Sequence, residues 1–451
     1  MEKIPIIGPI YSFFGGEDID IGVFIAIFGV ILIIYGLSYF GVGESKVVTI
    51  MFALSPIWLP IMAFNVFFSK WMDTVGLSFY VYNGRTTLEI KLPPEVFKSP
   101  EAMETVIAQI HNVATPDNLM QTYIDGKRPL PYSLELVSTE GEVKFYVNLP
   151  TKKTTEAFKV SLYSQYPGVE IHEVALDYTA QIPSDLKGYN LMGFHMGKKK
   201  DSAYPIKSYY EFGLDKLPKE EEKLDPMTPM LEALGSFKKN EHLWIQILIT
   251  PHREKSFKFG QLRSGPNWEP AARAQIDKIM NRDPATKRAA GMDDQEFGMT
   301  LLSPGERSTL EAMELNLEKY PYETGIRWVY IAPEDKYRFD AISMMIRTFS
   351  QWDVLGRNAI GVRWRTDFNY KALSDPLGSR LKVWKKEELQ RYKLRKYLPR
   401  SGADQEKIFT SLELATMYHL PGKVAITPGI DRITSTRSEA PSNLPIGNYE
   451  Q

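Results

Sequence analysis

The reading turns on residues 21–70, where IGVFIAIFGVILIIYGLSYF (21–40) and VVTIMFALSPIWLPIMAFNVFFS (47–69) flank the short linker GVGESK (41–46). The runs hold twenty and twenty-three residues without a charge, and about 20 apolar residues let a helix cross a ~30 Å hydrocarbon core. The stretch therefore predicts a two-helix transmembrane hairpin over 21–70, behind an N-terminal tail at 1–20. A buried core helix is the plainer alternative, but such helices are usually shorter and interrupted by polar residues. A cleaved signal peptide does not fit, because the start carries Glu2, Glu17, Asp18 and Asp20 against Lys3. Lys3, Lys70, Arg85 and Lys91 flank the hairpin and only Lys46 lies in its loop. This bias predicts a multi-pass protein of the cell (inner) membrane with both termini and the remaining domains in the cytoplasm. Pro56 and Pro60 would kink the second span, and Trp71 would anchor it at the interface.

Composition bounds the rest of the chain. A chain of 451 residues exceeds one ordinary core, so at least two domains are expected after the hairpin. With 43% hydrophobic and 24% charged residues it folds rather than stays disordered. A net charge of −1 gives no global attraction to nucleic acid. The absence of cysteine excludes disulfides, thiolate metal sites and cysteine nucleophiles.

From Thr86, Leu88, Ile90 and Leu92 alternate as a strand stopped by Pro93 and Pro94. Ser99 and Pro100 open a helix with Met103, Val106, Ile107 and Ile110 on one face. A hairpin around Thr139-Glu140-Gly141, a helix over 154–166 and a strand over 169–174 complete a β-α-β-β-α-β order. That is the order of a ferredoxin-like unit, placed at 79–180. A second pass is read over 189–370: strand 208–212, helix 227–237, strand 243–249, an insertion over 252–322, strand 326–331, helix 334–351 and strand 360–364. The predicted fold class is α+β: the transmembrane hairpin, then two ferredoxin-like units, the second with a helical insertion. A basic helical segment at 371–421 and an extended tail at 422–451 come last.

Two basic stretches are candidate contact sites. In the insertion, residues 253–288 carry nine Lys and Arg against four acids, among them Arg253, Lys255, Lys258 and Arg263, with Trp268 close by. Cations interleaved with aromatics suit phosphates and bases, while a solvated helical insertion is the plainer reading. Over 380–400, Lys382, Lys385, Lys386, Arg391, Lys393, Arg395 and Lys396 alternate with Trp384, Leu389, Tyr392 and Tyr397 as an amphipathic basic helix. Anionic headgroups or nucleic acid are the partners such a helix would meet; packing on its own domain is the alternative.

Nothing in the sequence calls for catalysis or a cofactor. No segment satisfies G-x-x-x-x-G-K-[ST]; the nearest, Gly193 to Lys199, has three residues between its glycines and a lysine where Ser or Thr is required. His111, His172, His195, His242, His252 and His419 show no metal-ligand spacing and read as ordinary core or surface residues.

The run SLELATMYHLP (411–421), followed by Thr427-Pro428, Arg432 and PSNLP (441–445), resembles the segment ahead of the motor domain in the large conjugative-transfer ATPases of type IV secretion. LEIKLP (88–93), SPEAM (99–103), SLELV (133–137) and GEVKF (141–145) resemble the amino-terminal region of the same family. The resemblance implies a non-catalytic, membrane-anchored assembly component that lacks the P-loop motor. It would form a homo-oligomer, in the family a hexameric ring, and dock a separately encoded ATPase. A viral or phage-encoded membrane scaffold, or a nucleic-acid-binding membrane protein, are the competing expectations.

Overall fold

The structure, a computed structural model, describes residues 44–93, 98–215, 225–253, 255–258, 261–264, 268–280, 302–367, 375, 378–397, 399–400 and 404–422. Its elements run α1 (Glu44–Asn83), β1 (Thr86–Lys91), α2 (Pro100–Gln109), α3 (Leu119–Tyr123), β2 (Tyr132–Thr139), β3 (Glu142–Leu149), α4 (Thr155–Gln165), β4 (Glu170–Glu173) and β5 (Tyr189–Lys198). They continue with α5 (Thr228–Gly235), β6 (His242–Pro251), β7 (Lys255–Lys258), β8 (Gln261–Ser264), α6 (Trp268–Ile279), α7 (Pro304–Leu317) and β9 (Pro321–Pro333). The last are α8 (Phe339–Thr348), β10 (Ile360–Arg365), α9 (Ser379–Lys393), β11 (Lys407–Thr410) and α10 (Ser411–Met417). The chain divides into two compact units.

One unit takes Met1–Gly84, Val113–Leu130 and Arg253–Asn267. Here the transmembrane hairpin is corrected. The first apolar run, 21–40, lies outside the described residues, and the second belongs to α1, a 40-residue helix that continues past Lys70 to Asn83. Among the described residues no helix is long and apolar enough to cross a membrane, so the multi-pass inner-membrane localisation falls with the hairpin. A charge-free run in the sequence does not show what covers the helix. The far end of α1 is held by protein: Met72 and Val75 are buried, and Arg128 Nη2 donates to the Met72 carbonyl at 3.1 Å. Trp71, read as an interface anchor, donates from Nε1 to the Tyr123 carbonyl at 2.8 Å.

The other unit takes Arg85–Asn112, Pro131–His252 and Trp268–Gln451. Its centre is one nine-stranded sheet in the order β10-β5-β9-β6-β2-β3-β1-β4, with β11 also paired to β9. The neighbouring strands are antiparallel. This overturns the expected fold class of a hairpin followed by ferredoxin-like units. The two β-α-β-β-α-β passes are fused at β2 and β6, which pair from Tyr132 with Ile249 to Thr139 with His242. Hydrophobic alternation reports which face of a strand is buried but not which strand lies beside it. Strand 208–212 is also corrected: those residues form turns, and the pass begins with β5. Gly193 and Gly197 interrupt β5, which weakens its strand signature.

One face of the sheet packs α2, α4, α5, α8 and α10 over a continuous apolar core that includes Phe158, Trp328 and Met345. The opposite face carries a smaller core of Val137, Leu191, Trp244, Val329 and Ile331, covered by Leu389 and Tyr392 of α9 and by Tyr178 and Ile182. A third cluster joins α6 and α7 through Trp268, Ile276, Leu310 and Met313. Each large apolar side chain so buried contributes about 1.5–3 kcal/mol. With both faces covered, β6 is buried along nearly its whole length, which explains its unbroken apolar reading.

Candidate functional site: a buried charged row under α9

Register places one residue of each strand in a single transverse row. His172 of β4 faces Glu89 of β1, which faces Tyr146 of β3, which faces Glu135 of β2. Glu135 then faces Gln246 of β6, Gln246 faces Arg327 of β9, Arg327 faces His195 of β5, and His195 faces Trp364 of β10. Directly opposed residues share a face, so the row runs beneath α9. Glu135, Gln246, Arg327 and His195 are at most 1% exposed.

Burying charge requires partners, and the row supplies them to one another. Gln246 Nε2 donates to Glu135 Oε1 at 2.8 Å, and its Oε1 accepts from Arg327 Nε at 2.8 Å. Arg327 also donates to the carbonyls of Arg391 at 2.8 Å and Lys396 at 3.0 Å, in the closing turn of α9. That turn ends with Arg395 at φ +52°, where glycine is the usual residue. Arg395 N donates to the Tyr392 carbonyl and Lys396 N to the Arg391 carbonyl, the paired bonds of a Schellman ending. The left-handed arginine is offset by a two-pronged pair with Glu135, at 2.8 and 3.1 Å, and a contact with Asp177 at 2.7 Å. Tyr178 Oη donates to Glu135 Oε2 at 2.8 Å.

His195 sits between two carboxylates, with Nε2 at 2.9 Å from Glu388 and Nδ1 at 2.7 Å from Asp404. Asp404 also accepts from Tyr397 Oη at 2.7 Å and from Arg400 N at 2.8 Å. Two glycines make the approach possible. A Cβ on Gly193 would lie 2.9 Å from Glu388 Cγ, and one on Gly325 would lie 2.5 Å from the Tyr397 ring.

Burial pulls the His195 pKa down, but Glu388 and Asp404 outweigh it and the net shift is upward. For Glu388, burial pushes up while His195, Arg327 and Arg400 pull down further, to about 2. A raised histidine value stabilises the fold fully below its ordinary 6.5, and that stability is lost as pH rises through the raised value. A lowered carboxylate value stabilises fully above its ordinary 4.5, and that stability is lost as pH falls towards about 2. Thermal unfolding of the full chain should therefore show these two contributions complete together only between pH 4.5 and 6.5. His195→Gln should flatten the alkaline fall; an unchanged alkaline limb in that variant would refute the assignment.

A second buried pair fixes the C-terminal segment. Lys198 Nζ at the end of β5 lies 2.8 Å from the Glu413 carboxylate, both side chains at 0% exposure. Burial lowers the Lys198 pKa and Glu413 counters it. Glu413 also accepts from Ile206 N at 2.9 Å and Thr410 N at 3.1 Å. The run 411–421 is buried throughout as α10 and the residues after it, with β11 before it in the sheet.

The basic stretch over 380–400 is largely turned inward. Lys385 donates to Asn190 Oδ1 at 2.6 Å, Lys393 to the Ile182 carbonyl at 2.6 Å, and Arg391 lies 3.9 Å from Glu387. Arg395 belongs to the row; Lys382, Lys386 and Lys396 are exposed. The insertion residues divide between the two units. Lys255, Lys258 and Arg263 lie on the β7–β8 hairpin, with Arg253 just before it, in the unit of α1. Trp268 is core in the sheet unit. The tail beyond 422 lies outside the described residues.

The sequence reading passed over Glu135, Gln246 and Arg327 and took His195 for an ordinary core or surface histidine. A usable signal was present: each is the lone strongly polar side chain in the apolar middle of its strand, as in LWIQILI (243–249) and GIRWVYI (325–331). A polar residue there needs a buried partner.

No curated protein matches the chain. No match ties it to the conjugative-transfer ATPases, and the type IV secretion and conjugation reading is withdrawn with the membrane one. A family model matches residues 78–355, from the end of α1 to the loop before β10, and leaves Glu388, Arg395 and Asp404 outside the match. Since that match covers more than half of its length, the chain belongs to the family described as Domain of unknown function (DUF8128).

Proposed function

We propose that the chain is a structural component of a multiprotein assembly, acting as a rigid platform that packs against further copies of itself. The observation that carries this reading is the sealed row. His195, Glu135, Glu388, Asp404 and Arg327, the groups best suited to acid–base or anion chemistry, are spent on one another at 0–1% exposure where no substrate reaches them. Satisfied buried networks rigidify a fold. The surface, by contrast, carries large apolar side chains, with Leu176 at 77% exposure, Phe339 at 73% and Leu355 fully exposed. Such side chains are what an interface covers, where they gather into patches.

Mass photometry of the full chain tests the proposal. A discrete oligomer is expected, and Phe339→Glu or Leu355→Glu should shift it towards smaller species with the melting temperature unchanged. A monomer across the accessible concentration range would overturn the reading.

A further inference from the structure

The nine-stranded sheet ends in two strands of opposite charge. β10 and β4 are the terminal strands of its order. β10 reads IGVRWR and holds no acid, while β4 reads EIHE and holds no lysine or arginine. Each edge carries one charge on each side. Arg365 faces Phe194 and Glu173 faces Leu88, and both partners belong to the helix-covered core, so this arginine and this glutamate stand on the same side of the sheet. Arg363 sits at the bulge between Val362 and Trp364. A Cβ on Gly197 would meet Arg363 Cγ at 3.5 Å, and Gly197 shares the α9 side with His195 two residues before it. Glu170 shares that side with His172, whose Nε2 is 3.2 Å from its carboxylate. Arg363 Nη2 donates to the Lys198 carbonyl, Glu173 meets Lys159 at 2.6 Å, and Arg365 lies 3.9 Å from Asp367. The side chains of Glu170, Glu173 and Arg365 nevertheless remain 52, 60 and 47% exposed. Apolar side chains border both edges: Val362 of β10 is exposed, Leu355 lies in the loop before β10, and Leu176 follows closely on β4.

We propose that β10 of one copy pairs with β4 of the next, so that the sheet continues head to tail from chain to chain. Charges and bulges on edge strands keep sheets from pairing at random, but here they exclude only like edges. β10 against β10 opposes arginines and β4 against β4 opposes glutamates, whereas β10 against β4 brings unlike charges together on each side of the sheet. Such a contact uses two different surfaces of the chain. Copies then close into a ring if the rotation between them permits and otherwise run on as a filament. The inference rests on the platform reading and names the surfaces through which copies meet.

Mass photometry of the full chain tests it with two variants, Arg363→Glu/Arg365→Glu and Glu170→Lys/Glu173→Lys, measured singly and mixed in equal amounts. Each variant alone presents like charge at both edges and should need about tenfold more protein to assemble. The mixture restores unlike edges in alternation and should assemble as the unaltered chain does. Raising the salt concentration should weaken the unaltered oligomer. Should either double variant melt lower than the unaltered chain, the single exposed changes Arg365→Glu and Glu170→Lys repeat the comparison. An oligomer that the variants leave unchanged, or a mixture no larger than its components, would overturn the edge pairing and leave the platform reading standing. A monomer of the unaltered chain would overturn both.

Discussion

Arg327→Met should destabilise the sheet unit by about 3–5 kcal/mol, the range for removing one partner from a buried ion network. The loss would come from what remains rather than from the arginine. Gln246 Oε1 and the Lys396 carbonyl would lose this donor, the Arg391 carbonyl would keep only Lys396 N, and Glu388 would keep its charge with one cation fewer around it. Methionine fills a similar volume, so little of the effect should be cavity. Urea unfolding reads it as a lower midpoint at unchanged slope. Arg327→Lys should recover only part, because a single ammonium cannot reach three acceptors held by a planar fork. A loss under about 1 kcal/mol for Arg327→Met would mean that the row does not lock the sheet to α9.

Glu413→Ala should be of similar size, about 3–5 kcal/mol. It leaves the Lys198 ammonium buried and removes the acceptor from Ile206 N and Thr410 N. The informative comparison is Lys198→Met combined with Glu413→Gln, which removes both charges and keeps an acceptor oxygen. That double variant should unfold at higher urea than Glu413→Ala alone. If the double variant is the less stable, the pair itself contributes net stability and an orphaned charge is not the source of the loss.

Local elements were legible because their signals are local. Ser99 caps α2 by accepting from Glu101 N with Pro100 in the first turn, and Ser303 and Glu306 close a capping box on α7. What the sequence hid depends on residues far apart along the chain. The seam of β2 and β6 joins positions about a hundred residues apart, and the Arg395–Glu135 pair spans 260. Arg395 illustrates the difficulty: in sequence it is one of nine cations over 380–400, and only the turn at φ +52° sends it into the core. The hairpin failed for the converse reason. Absence of charge over 47–69 is equally compatible with a lipid or a protein neighbour, and α1 continues into protein contacts at Met72 and Val75.

The seam between β2 and β6 also sets an order of events on the ribosome. Strands β1 to β4 can pair once residue 173 has emerged, but β2 then waits with one edge open until β6 arrives at residues 242–251. Open edges of apolar strands invite pairing with other chains, and domains that depend on distant strands fold slowly. β9 in turn lacks β11 until residue 410 is made. A nascent first half is thus a sticky intermediate for as long as it takes to synthesise the next seventy residues or so, and slowing translation across that interval would raise the burden on chaperones that bind exposed strands.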